Sequence, residues 1–156
     1  MTDPTPAALT REEFSQVVRL SPLVSIDLVL RDATGRMLLG LRENRPARHF
    51  WFVPGGRIGK NERIEAAFRR ISRMELGREL SPEHARFLGV FEHLYDDNFA
   101  GAPGYGTHYI VLAYAIDAAG DFDLPAEQHS RYEWMAEDDV LCRPDVHPYV
   151  RAYCGR

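Results

Sequence analysis

The sequence predicts an α/β (α+β) fold, a sandwich of helices around one mixed central sheet. Three observations carry this. At 156 residues the chain has the size of one domain, long enough to bury about two-thirds of its unfolded surface in one core. Helical and strand periodicities follow one another in mixed order, as they do around a single layered sheet. No repeat, low-complexity run or linker divides the chain, and 45% hydrophobic with 27% charged residues is an ordinary globular composition.

Residues 1–9 read as a loose tail and residues 10–156 as one domain. Thr10 and Glu13 have the spacing of a capping box, so a short helix starts there with Phe14, Val17 and Val18 on one side. After Pro22, Val24, Ile26, Leu28 and Leu30 alternate with Ser25, Asp27 and Val29, the period of a strand whose second face carries a carboxylate. Asp32 to Gly35 has turn residues and MLLGLR returns as a second strand, which predicts a hairpin. Beyond a loop at 43–50, Trp51, Phe52 and Val53 are apolar, and Pro54-Gly55-Gly56 is expected to end any strand. Asn61 is placed to cap a helix of about four turns, with Ile64, Ala67, Phe68, Ile71 and Met74 on its apolar stripe and Gly77 as its stop. RFLGVFEHLY and HYIVLAYAID read as strands separated by the loop DDNFAGAPGYG, followed by a short strand at RYEWM and a C-terminal helix after Pro144.

Charge and cysteine usage narrow the function. The net charge is -4 and no block of five like charges occurs, so there is no electrostatic footprint for nucleic acid. Cys142 and Cys154, without C-x-x-C spacing, suggest neither a disulfide framework nor a zinc site, which points to a reducing, cytoplasmic location. The opening MTDPTPAALT has no basic and apolar leader pattern, and no run approaches about 18 apolar residues, so no membrane association is expected.

One local pattern carries chemistry. From Gly56, Glu62 follows six residues later, Arg70 eight after that, then Glu75 and Gly77. This resembles the Nudix box, a strand-loop-helix-loop unit, with departures at Ile71 and Met74, where the box has glutamates, and at Ser72 and Arg78, where it has aliphatic residues. The same departures, with SPLVSIDLVL, NRPARHFWFVPGGR, EAAFRRISRMELG, HLYDDNFAG, THYIVL and LPAEQHSRYEW in that order, are similar to the GDP-mannose mannosyl hydrolase branch of the Nudix superfamily over roughly residues 10–153.

The resemblance implies a Nudix α/β/α sandwich, a homodimer, one divalent ion per site, and cleavage between sugar C1 and the diphosphate oxygen with inversion. The implied substrate is a GDP-sugar, with GDP-mannose foremost and GDP-glucose open, because discrimination at a hydroxyl depends on hydrogen-bond geometry. The implied cofactor is Mg²⁺, with Mn²⁺ as a substitute, held by the Gly55 carbonyl, Glu75 and Gln128. With Ile71 and Met74 in place of two carboxylates, Glu75 is the surviving acid of that stretch, which suits one hard cation that keeps most of its waters. Arg42 and Arg57 are candidate phosphate clamps, guanidinium forks matching phosphate oxygens. Arg70, the box arginine, is expected to support the same cluster. His129, beside Gln128, has an ordinary pKa suited to a general base. Asp27 and His93 match positions near the sugar, Tyr109 matches a leaving-group stabiliser, and Tyr95 is grouped with substrate binding.

Each residue also has a plainer reading: Glu75 as an ion-paired helix residue, His129 as a solvated loop histidine, Asp27 as the wet side of a half-exposed strand, and His93 and Tyr109 as satisfied core residues. Ile71 and Met74 read as core. Two other functions compete with hydrolysis at carbon: a standard Nudix diphosphatase attacking phosphorus, and a non-catalytic domain that senses nucleotide sugars.

Overall fold

The computed structural model describes residues 6–120, 122–125 and 129–156. Helix α1 (Arg11–Leu20) begins at the expected capping box, with Thr10 Oγ1 accepting from Glu13 N and Glu13 Oε2 accepting from Thr10 N. Strand β1 (Leu23–Arg31) then enters the sheet and lies parallel to β6 (Thr107–Asp117) in register from Leu23↔Tyr109 to Arg31↔Asp117. β5 (Ala85–Tyr95) runs antiparallel to β6 and forms the outer edge.

The expected hairpin forms only at its base. β2 (Met37–Arg42) pairs with β1 at Arg31↔Met37, then diverges to pair with β3 (Trp51–Phe52) and β7 (His129–Met135). The vacated edge of β1 is filled by β4 (Gly55–Arg57), through Ser25↔Arg57, Ile26↔Gly56 and Asp27↔Gly55. β3 thus ends before Pro54 as expected, but Gly55 and Gly56 then open a new strand. The reason is close approach: a Cβ on Gly55 would lie 2.6 Å from the Ile26 carbonyl oxygen and 2.7 Å from Asp27 Oδ1.

Successive strand residues point to opposite faces, and two apolar layers result. On one face Ile26, Leu28, Leu30 and Leu38 pack with Ala67, Phe68, Ile71 and Leu76 of α2 (Ile64–Leu76). On the other, Val29, Met37, Leu39, Trp51 and Phe52 pack with Val140 of α3 (Glu137–Cys142), Val150 of α4 (Pro148–Arg151) and Tyr153. This is the anticipated α/β/α sandwich around a mixed sheet. Truncating fully buried Phe68 to alanine costs about 3–5 kcal/mol through lost transfer energy and cavity.

Three local expectations change. Helix α2 is capped by Arg63 without a side-chain bond, while Asn61 sits at φ 63 in the preceding turn, a conformation that asparagine tolerates. The buried face of α2 is rotated from the expected stripe: Ile64 and Met74 are half-exposed, and Ser72 and Glu75 are buried instead. The C-terminal helix after Pro144 is a single turn, α4, and α3 precedes that proline.

Candidate active site

A cavity of about 800 Å³ opens where β1, β4, α2 and the inner ends of β5 and β6 meet. That volume lies in the range of pockets that enclose a small molecule. The lining brings together most of the residues singled out in the sequence: Asp27, Arg42, Gly55, Arg57, Arg70, Glu75, His93, Tyr95 and Tyr109. Residues 6–9 of the expected tail also border it.

One end is built by the segment from Gly55 to Gly77. Arg70 makes a forked ion pair with Glu62, Nε to Oε1 at 2.6 Å and Nη2 to Oε2 at 2.8 Å, and Nη2 also donates to the Arg57 carbonyl at 2.8 Å. Glu62 Oε2 in turn accepts from Gly59 N. Arg70 thus braces the end of β4, which carries Arg57. Arg57 places its guanidinium carbon 3.9 Å from the centre of the Phe14 ring, a cation–π contact that holds it over α1. Arg42 donates from Nε to the Pro46 carbonyl at 3.0 Å. Glu75 is buried; burial pushes its carboxyl up to about 7, and the Arg42 charge opposes that shift.

The other end is made of aromatic and histidine side chains around Asp27. Asp27 is buried, not on a wet strand face, and Tyr153 Oη donates to its Oδ2 at 2.6 Å. Burial pushes Asp27 up to about 7 against the pull of that hydrogen bond and of Arg42. His93 stacks on Tyr149 with ring centres 4.3 Å apart and planes at 2°, and Tyr153 Oη lies 3.5 Å from its Nε2. Burial, with His147 adding to it, pulls His93 down to about 4, so its ring is neutral at pH 7. Tyr109 faces Leu23 and His93 in the two flanking ladders, and burial raises its phenol.

His129 stands apart. It lies opposite Arg42 in the β2–β7 ladder, and its ring packs against Gly40, which has no room there for a Cβ. The ring is buried, and among the described residues its Nε2 has no hydrogen-bond partner. Burial first and Arg42 second pull it down to about 4, and it is not among the described residues that line the cavity. Gln128, the third expected metal ligand, falls outside the described residues. His147, Tyr149 and Tyr153 also build this end, and no local pattern in the C-terminal segment marks them.

The implied metal can be tested against these donors. Among the described residues no three His, Cys, Asp or Glu side chains cluster as a metal site. Gly55 and Glu75 nevertheless fit Mg²⁺, which takes few protein oxygens and draws the rest from water and phosphate. A carboxyl held back from ionising by burial is also one that a divalent cation would stabilise in its charged form.

An α/β/α sandwich with a Gly-Gly-Arg loop leading into a braced helix defines a Nudix-type hydrolase scaffold. The NUDIX domain model matches residues 21–153, and the chain belongs to that family. It is 39% identical over 145 residues to the low-salt glycan biosynthesis protein Agl8 of Haloferax volcanii, covering 91% of this chain and 86% of that protein. Among solved structures it resembles a MutT NUDIX hydrolase from Burkholderia pseudomallei, with a TM-score of 0.68 and 27% identity over 85% of this chain and 95% of that one. A MutT protein from Methanosarcina mazei shares the fold, with a TM-score of 0.66 and 18% identity over 84% and 89% of the two chains. The protein is a Nudix-family hydrolase acting on a nucleotide-linked substrate. Among the described residues no helix is long and apolar enough to cross a membrane.

Proposed function

We propose that this hydrolase splits a GDP-sugar, GDP-mannose foremost, into GDP and free sugar by attack of water at sugar C1. The observation that carries this is the composition of the α2 face bordering the cavity: Glu75 is its carboxylate, while Ile71 and Met74 occupy the neighbouring positions. Attack at phosphorus in this scaffold calls on several carboxylates to gather metal beside the phosphate, whereas departure of a diphosphate from carbon requires neutralisation of the leaving group. Arg42 and Arg57 supply that neutralisation with fixed, always-charged donors. The glycan-biosynthesis name of the Haloferax relative supports a sugar-linked substrate.

Gly55 and Glu75, with Gln128 from outside the described residues, would hold Mg²⁺ or Mn²⁺. When bound, the ion adds positive charge beside the diphosphate. The chain's own residues do the rest. Arg42 and Arg57 fix the diphosphate and Tyr109 stabilises the departing oxygen. Tyr95 and His93 wall the sugar end. Of the two candidate bases, Asp27 borders the cavity and is assigned the proton of the attacking water; His129 lies opposite Arg42 in the β2–β7 ladder, outside the described lining, and is assigned to the placement of β2. The homodimer implied by the resemblance has an available face on edge strand β5, where Phe87, Val90 and Leu94 are exposed.

Hydrolysis of GDP-mannose in ¹⁸O-water tests the reading. Label is expected in mannose, released first as the β-anomer, and none in GDP, since one water displaces GDP from the face opposite the α-linkage. Label in GMP or mannose phosphate would establish attack at phosphorus instead, and absence of turnover with Mg²⁺ would remove GDP-mannose as the substrate.

A further inference from the structure

The C-terminal segment reaches the sugar end of the cavity through one hydroxyl. Tyr153 is fully buried, with its ring edge-on to Phe91 at 5.0 Å and its Oη donating to Asp27 Oδ2 at 2.6 Å, across 126 residues of sequence. The segment that carries it is tethered independently. Arg31 Nη2 donates to the Tyr153 carbonyl at 2.9 Å and pairs with Glu137 at 2.7 Å, and Glu137 accepts from Gly155 N at 3.0 Å. The hydroxyl is thus held in place from the side away from the cavity.

That bond solves a problem the strand cannot. Backbone pairing fixes the Cα of Asp27 opposite Gly55, yet the last torsion of an aspartate is broad and roughly two-fold, so the backbone leaves the orientation of the carboxyl open. A short O–H···O⁻ bond at 2.6 Å is charge-assisted and directional. With Oδ2 engaged by Tyr153, Oδ1 is the oxygen turned toward Gly55, close to where a Cβ there would sit. A phenylalanine would fill the same space against Phe91 but could not choose between the two oxygens.

We propose that Tyr153 is a positioning residue, which presents a single oxygen of Asp27 to the cavity and thereby makes the C-terminal segment part of the catalytic apparatus. The inference rests on the assignment of Asp27 as the group that receives the proton. Misplacement of a reacting group by about 1 Å costs on the order of 10²-fold in rate, so freeing the carboxyl to rotate should reduce turnover without weakening substrate capture.

The test is a double-mutant cycle on GDP-mannose hydrolysis with wild type, Asp27→Asn, Tyr153→Phe and the pair, each with its Tm. Tyr153→Phe is expected to lower kcat about tenfold or more with KM within about twofold. On the Asp27→Asn background it is expected to cost nothing further, because a residue that acts only through Asp27 has nothing left to position. A milder displacement comes from Arg31→Gln, which releases the Tyr153 carbonyl and should lower kcat about twofold to fivefold with KM unchanged. It serves should Tyr153→Phe prove unfolded. The inference is overturned if Tyr153→Phe leaves kcat within about twofold of wild type while Asp27→Asn is crippled, or if the two losses multiply. Near-normal activity of Asp27→Asn would instead remove the Asp27 assignment, and the inference with it.

Discussion

The two ends of the cavity are built by different means. At one end, Gly59, Glu62, Arg70 and Arg57 form one local unit whose bonds join residues thirteen positions apart or fewer. At the other, Asp27, His93, Tyr149 and Tyr153 come from two strands and the C-terminal segment, and the bond that joins Asp27 to Tyr153 spans 126 residues. A site made of a local unit tolerates drift elsewhere in the fold. A site made at a junction of distant segments depends on the whole sandwich being closed.

The sharpest break falls at the junction. Asp27→Asn should reduce kcat on GDP-mannose by about 10²–10⁴, the usual worth of a general base, with a fold left intact by near-UV dichroism. His129→Gln is the control, expected to cost about tenfold by loosening Arg42; a larger loss than that of Asp27→Asn would return the base to His129. At the local end, Glu75→Gln should lower turnover on the order of 10²-fold and raise the Mg²⁺ concentration for half-activity; an unshifted Mg²⁺ titration would remove Glu75 from the metal. Arg70→Gln, which severs the fork to Glu62, is expected to destabilise the protein by about 1.5–3 kcal/mol in urea melts, through loss of a charged hydrogen-bonded pair.

The smallest effect concerns pH and again separates the ends. Asp27 titrates near 7 in the folded protein against an ordinary 3.8, so the folded state holds its proton more tightly than the unfolded chain. Its stabilising contribution is therefore whole below about pH 4 and lost as pH rises through 7. Without added metal, Asp27→Asn should melt higher than wild type at pH 8, by about 3–6 °C, and the difference should vanish toward pH 4. Equal melting temperatures at pH 8 would show that Asp27 carries no burial penalty.

The same contrast explains what could be read from the sequence. The α2 unit was legible because its signals are local: Gly56, Glu62, Arg70 and Gly77 have fixed spacings, and each does its work within a few turns. The strands were legible from period-two alternation, and the sandwich followed. The strand role of Gly55 is not legible, because its purpose, backbone approach to Ile26 and Asp27, is set by a strand pairing that no window contains. Met74 was misplaced because helical spacing fixes a stripe's width but not which of its edges meets the sheet. Tyr153 left no chemical signature, since a tyrosine near the end of a chain is indistinguishable from core until its hydroxyl is seen to meet Asp27.

The parallel ladder between β1 and β6 has a further consequence, for the making of the protein. Residue 23 pairs with residue 109 and residue 31 with residue 117, so β1 waits through the synthesis of β2, β3, β4, α2 and β5 for its partner. Parallel pairing of this kind closes a long loop before any contact rewards it, which slows folding. Until β6 arrives, the apolar β1 has an open edge to other chains. Refolding from urea should accordingly lose yield as protein concentration rises, with the loss tracking the time before the two strands meet.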